Sequence, residues 1–104
     1  MVNHIVMWRF KSAAENGQSK SANIAEAVRL LNGCRHLVPG ITGFDVVRGS
    51  EHPACTADLM LVSQFVDQAA LDAYQNHPDH KALKPFMSAV VEHRECMDYQ
   101  TPNI

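Results

Sequence analysis

The sequence predicts an α+β fold in which a four-stranded antiparallel sheet carries helices on one face. Three observations lead there. Four segments have the period-two alternation of strands, and stretches of helical period separate them in the order β-α-β-β-(α)-α-β. Prolines and glycines fall at the changes of period. Two of the strand segments are apolar on both faces, so one layer of helices cannot cover them.

Val2 to Phe10 is the first strand. Val2, His4, Val6, Trp8 and Phe10 share one face, while Ile5 and Met7 occupy the other. Lys11 to Ser19 is polar, contains Gly17 and reads as a loop. From about Ser21 the pattern turns helical, with Ile24, Val28, Leu31 and then Leu37 or Val38 near one stripe. Asn23 followed by Glu26 resembles a capping box, with a start a few residues earlier as the alternative, and Pro39-Gly40 ends the helix.

Ile41 to Gly49 is a second strand, with Phe44 and Val46 facing opposite to Asp45 and Val47. A loop from Ser50 to Thr56 contains Pro53 and leads to a third strand, Asp58 to Phe65, again apolar on both faces. Asp67 caps a short helix carrying Ala70, Leu71 and Tyr74. Pro78 disfavours helical geometry at His77 and suits the first position of a new helix, so the chain breaks and restarts there. Pro85 makes a second break or kink, with Phe86, Ala89 and Val90 continuing the apolar face. His93 to Gln100 is a fourth, more polar strand, and Thr101 to Ile104 a tail that frays or embraces a partner.

This order is the ferredoxin-like split βαβ arrangement. Ile5, Met7 and their neighbours would face water in a monomer. Packing two such faces about a two-fold axis gives a homodimer, a dimeric α/β barrel.

A chain of 104 residues has room for one domain, spanning residues 1–104. With 46% apolar and 19% charged residues it is globular rather than disordered. Its apolar runs are a few residues long, far short of the ~20 that span a bilayer, so no membrane role is expected. His4, Arg9 and Lys11 interrupt any signal-peptide pattern, which points to a soluble protein of the cytoplasm. Cys34, Cys55 and Cys96 form neither a disulfide framework nor a metal-binding spacing. The nine Lys and Arg residues are scattered and the net charge is −2, which excludes a nucleic-acid surface. Gly40 and Gly43 sit in a turn, not in a phosphate-binding fingerprint.

The opening His4-Ile5-Val6-Met7-Trp8-Arg9-Phe10-Lys11, the Asp67-capped helix and the block Tyr74-Gln75-Asn76-His77-Pro78-Asp79-His80 together resemble the stress-responsive dimeric α/β-barrel (Dabb) family over essentially the whole chain. The family pattern in that block is Tyr, two variable residues, His-Pro, one variable residue and His. One branch includes plant polyketide cyclases of the olivetolic acid cyclase kind, which close an aromatic ring by aldol condensation without metal or organic cofactor. By that resemblance His80 is the general base, Tyr74 its hydrogen-bonded partner and a donor to a carbonyl oxygen, and His4 an orienting or polarising group. The bulky aromatics of the plant enzyme's first helix are replaced here by Ile24, Ala25, Ala27 and Val28, so its substrate does not carry over.

Imidazole suits proton abstraction beside a carbonyl because its ordinary pKa lies near neutral pH. The positive end of the helix opened by Pro78 would favour a neutral His80. The competing reading is a Tyr74–His80 hydrogen bond that seals the helix end and has no catalytic role. His77 reads as a cap or turn residue, and His4 reads equally as a bonded core histidine. Trp8, Val6 and Phe86 are core or pocket wall. No metal site is expected, since the break at Pro78 separates His77 from His80 and no third ligand is evident. A cation held by carbonyls at a dimer interface would leave no trace in the sequence. His36, His52 and His93 carry no signal.

The sequence therefore leads to a homodimer with a small, largely apolar pocket lined by His4, Tyr74 and His80, suited to an aromatic or carbonyl-bearing molecule. Cofactor-free cyclase, isomerase or lyase chemistry is the leading expectation. A non-catalytic ligand-binding or stress-associated protein is the alternative, and an oxygen-dependent monooxygenase the third.

Overall fold

A computed structural model describes residues 1–52 and 54–102, with backbone alone for Glu51. Pro53 of the expected loop, and Asn103 and Ile104 of the expected tail, lie outside the described residues. In chain order the elements are β1 (Val2–Phe10), α1 (Lys20–Asn32), β2 (Ile41–Arg48), β3 (Leu59–Phe65), α2 (Gln68–Asn76), α3 (Pro78–Lys81), α4 (Lys84–Val90) and β4 (Val91–Gln100). The strands form one antiparallel sheet in the order β2-β3-β1-β4. The fold is ferredoxin-like, with the helices on one face.

Alternation in the strands decides what each face carries. Val2, Val6, Trp8 and Phe10 of β1 are buried with Leu59, Leu61 and Phe65 of β3, where they meet Ala27 and Leu31 of α1 and Leu71 and Tyr74 of α2. The other face carries Ile5, which pairs with Val62 and Met97, and Met7, which pairs with Met60. With no helix above it, that face leaves Met97 69% exposed, Tyr99 46% and Met7 41%. Among the described residues, no helix is long and apolar enough to cross a membrane.

Several element boundaries differ from the sequence reading. Ser19, not Asn23, caps α1, its side chain accepting a hydrogen bond from the Ala22 N–H at 3.1 Å. Asn23 is instead buried within the helix and accepts from Asn16 Nδ2 at 2.8 Å, which ties the preceding loop down. The helix also stops at Asn32 rather than running to Pro39. Beyond Gly33 the chain folds into turns, with the Cys34 N–H bonded to the Leu31 carbonyl and the Leu37 N–H to Cys34. Leu37 and Val38 still pack on the core, which explains why they extended the apolar stripe. Downstream, β4 begins at Val91, two residues before the expected start.

Gly40 carries the turn into β2. Its φ is +91°, and an added Cβ would stand 2.9 Å from Val66 Cγ2 and 3.0 Å from Ala70 Cβ. Replacing Gly40 with Ala is therefore expected to lower stability by about 1–3 kcal/mol, combining left-handed backbone strain with the close contacts. A shift in the urea midpoint at unchanged slope would measure it.

Candidate functional site

Three elements bring the candidate residues together. His4 projects from β1 toward the helices, at the register position between Ser63 of β3 and Asp98 of β4. It is 2% exposed, and its Nδ1 lies 2.6 Å from Asp98 Oδ1. A carboxylate only accepts, so the proton in this bond sits on His4 Nδ1. The Ser63 hydroxyl donates to the His4 carbonyl at 2.9 Å and fixes the backbone at the same point.

Tyr74 ends the buried face of α2 and is fully enclosed. Its ring packs against Phe65, with centroids 5.3 Å apart, and edge-on to Phe44 at 6.2 Å. His77 then breaks the helix: its extended backbone ends α2, and its Nδ1 accepts from the Asp79 N–H at 3.1 Å to cap α3. The reversal returns His80 to Tyr74, with ring centroids 4.6 Å apart and planes tilted by 54°.

This ring contact replaces the expected Tyr74–His80 hydrogen bond. Tyr74 Oη and His80 Nδ1 are both buried, and neither has a hydrogen-bond partner among the described residues. The two rings are in tilted contact, and no hydrogen bond joins their polar atoms. Burial pushes the Tyr74 hydroxyl well above its ordinary pKa, keeping it a neutral donor. Burial also pushes the His80 imidazole below its ordinary value. A hydrogen bond between the His80 ring and the Gln75 backbone opposes that shift, and electrostatic interaction with His4, Lys84 and Arg94 reinforces it.

Both orphaned atoms belong to side chains that line a cavity of about 570 Å³. Val6, Trp8, Leu31, Leu61, Leu83 and Met87 form its apolar wall, and His4 joins Tyr74 and His80 in its polar lining. Lys84 and Arg94 add cationic groups. Of the sequence candidates, His4, Val6, Trp8, Tyr74 and His80 come together here. His77 caps the helix start and Phe86 packs on the core, and neither lines the cavity.

The sequence reading missed the partners of His4. Asp98 supplies its hydrogen bond, and Cys96, in which the sequence showed no metal-binding spacing, lies 3.9 Å from both His4 Nδ1 and Asp98 Oδ1. The available signal was the spacing Cys96-x-Asp98, which puts both on one strand face. It acquires meaning only with the β1–β4 register.

The position of His80 sets a pH dependence. The folded state holds its pKa below the unfolded value of 6.5, so below that value the unfolded chain binds more protons. The stability contributed by neutral His80 is intact above the unfolded pKa and is lost as pH falls through and below it. Unfolding at about pH 7.5 and about pH 5.5 should therefore show an acid loss that His80→Asn reduces. The His80 ring resonance should titrate below 6.5.

No curated protein matches the chain in sequence. Among solved structures, it resembles a dimeric protein of unknown function and ferredoxin-like fold from Bacteroides fragilis NCTC 9343, at 22% identity and TM-score 0.80 over 96% of this chain and 95% of that one. A Dabb family protein with a ferredoxin-like fold from Mesorhizobium loti MAFF303099 is 25% identical, with TM-score 0.69 over 98% and 97%. A hydroxynitrile lyase from Passiflora edulis shares the fold at 19% identity, with TM-score 0.75 over 99% and 94%. The sequence profile of the stress responsive A/B barrel domain matches residues 2–101, nearly the entire length. The chain belongs to the stress responsive A/B barrel (Dabb) family.

Proposed function

We propose that this protein is a cytoplasmic homodimer whose cavity takes a small aromatic or carbonyl-bearing molecule, and that His80 removes a proton beside its carbonyl. One observation carries the reading: two buried polar atoms, Tyr74 Oη and His80 Nδ1, have no hydrogen-bond partner among the described residues and belong to side chains lining a cavity of about 570 Å³. Leaving each such group unbonded costs about 1–3 kcal/mol, a cost that a ligand able to bond to them offsets.

The chemistry follows from protonation states. A neutral His80 accepts a proton, while the Tyr74 hydroxyl, held protonated, donates to the oxygen on which enolate charge develops. His4, held by Asp98, is an orienting group on the sheet side of the cavity. The reaction class is cofactor-free cyclisation, isomerisation or carbon–carbon lysis, as in polyketide cyclases. The three free cysteines suit a reducing compartment.

The dimer reading rests on the uncovered apolar face of the sheet and on the neighbour from Bacteroides fragilis described as dimeric. A second copy is the partner whose face matches it in chemistry and extent. The chain should sediment as a dimer at micromolar concentration, and Met97→Asp as a folded monomer. A wild-type monomer would remove the barrel from the proposal.

Trp8, the single tryptophan, lines the cavity and reports its occupancy by fluorescence. Phenylacetaldehyde, with an aromatic ring and acidic hydrogens beside a carbonyl, is a suitable probe in heavy water with chelator present. The wild type should give a saturable Trp8 response and accelerate deuterium exchange. His80→Ala should keep the response and lose about 10²–10⁴-fold of the acceleration. Binding without acceleration in the wild type would make the protein a non-catalytic binder. No Trp8 response would overturn the ligand class.

A further inference from the structure

His4 touches more than its carboxylate. Cys96 and Asp98 are two residues apart on β4, so their side chains leave the same face. Strand pairing sets Val6 opposite Cys96 and His4 opposite Asp98, which places an imidazole, a thiol and a carboxylate together. The His4 Nδ1–Asp98 Oδ1 separation is 2.6 Å, and Cys96 Sγ lies 3.9 Å from each of these atoms. All three donor atoms fall within 4.8 Å of one another.

We propose that His4 Nδ1, Cys96 Sγ and Asp98 Oδ1 form a three-ligand site for a divalent metal of the zinc type, with its fourth position left to water or a small ligand. The distances suit it. A tetrahedral zinc ion, bound at about 2.0–2.2 Å to nitrogen and oxygen and about 2.3 Å to sulfur, separates its donors by roughly 3.4–3.6 Å. Both sulfur distances need to close by only a few tenths of an ångström. The histidine–carboxylate pair has to open by about 0.8 Å to reach that geometry. Asp98, whose side chain is 41% exposed, has room to turn.

The donor types select the metal. Magnesium and calcium favour all-oxygen sites, whereas imidazole with thiolate favours zinc and cobalt. A histidine held by a carboxylate alone would need no sulfur within reach of both. Binding takes the place of the His4 Nδ1 proton, leaving the bound ring as its Nε2–H tautomer, and releases the Cys96 thiol proton to solvent.

A second feature points to a ligand beside this cluster. His4 lines the same cavity as the fully buried Tyr74 hydroxyl, which has no partner among the described residues. A small molecule filling the cavity therefore has His4 and Tyr74 in the same wall. The site shares His4 with the proposed pocket but does not rest on His80 acting as a base.

Cobalt(II) tests ligation directly, because thiolate coordination gives a charge-transfer band and tetrahedral geometry gives intense visible bands. Reduced, chelator-treated protein should develop both with one equivalent of cobalt, and zinc should displace them. Cys96→Ser, at an exposed edge-strand position, should lose the charge-transfer band while keeping its circular dichroism. Asp98→Asn should weaken cobalt binding by at least about tenfold. Cys55→Ser and His80→Ala should bind cobalt as the wild type does, which separates this site from the proton-abstraction reading. Folded wild-type protein without the band, persistence of the band in Cys96→Ser, or its loss in His80→Ala would each overturn the proposal.

Discussion

The register of β1 between β3 and β4 is the constraint on which the other features depend. A slip of one residue would send His4, Trp8 and Phe10 to the uncovered face and bring Ile5 and Met7 against the helices. Several bonds hold the register. Asn3 accepts from Gln64 Nε2 at 3.2 Å and donates from Nδ2 to Thr101 Oγ1 at 3.2 Å, linking β3 to the residue that follows β4. At the other end, Asp58 Oδ2 accepts from the Phe10 N–H at 2.8 Å while the Asp58 N–H donates to the Trp8 carbonyl. Asp58 also pairs with Lys20 at 3.1 Å, connecting the start of α1 to the same corner.

The break at His77 is the second constraint. At about 100° per residue, positions six apart on one continuous helix point about 240° apart, separated by about 9 Å along the axis. Tyr74 and His80 could not touch on such a helix. The extended backbone of His77, with ψ of 135°, and the following Pro78 reverse the chain. The ring of His80 then rests on Tyr74. A histidine that caps a helix thus makes the geometry without entering the cavity.

These two constraints differ in how far they can be read from the chain. Alternation in Val2–Phe10 and Leu59–Phe65 is a local signal and gives the two-faced sheet directly. The His77-Pro78 break is equally local. The end of α1 is not, because Leu37 and Val38 pack on the same core from turns and prolong the apolar stripe. The surroundings of His4 were the least legible, since Asp98 stands 94 positions away and its significance depends on strand pairing. The Tyr74–His80 contact was legible as proximity but not as geometry. Spacing cannot distinguish rings in tilted contact from rings joined by a hydrogen bond.

That difference decides how the pair is best understood. A hydrogen bond between the two side chains would satisfy both polar atoms and account for them by stability alone. In the ring contact Tyr74 Oη and His80 Nδ1 have no hydrogen-bond partner among the described residues, and aromatic packing gains only about 0.5–1.5 kcal/mol beyond area burial. Two unbonded buried groups cost more than this at about 1–3 kcal/mol each. The arrangement is therefore poor as a structural seal and well suited to a site that receives a bonding partner. His4 completes the contrast: it lines the same cavity, but its Nδ1 has Asp98 while His80 Nδ1 has no hydrogen-bond partner among the described residues.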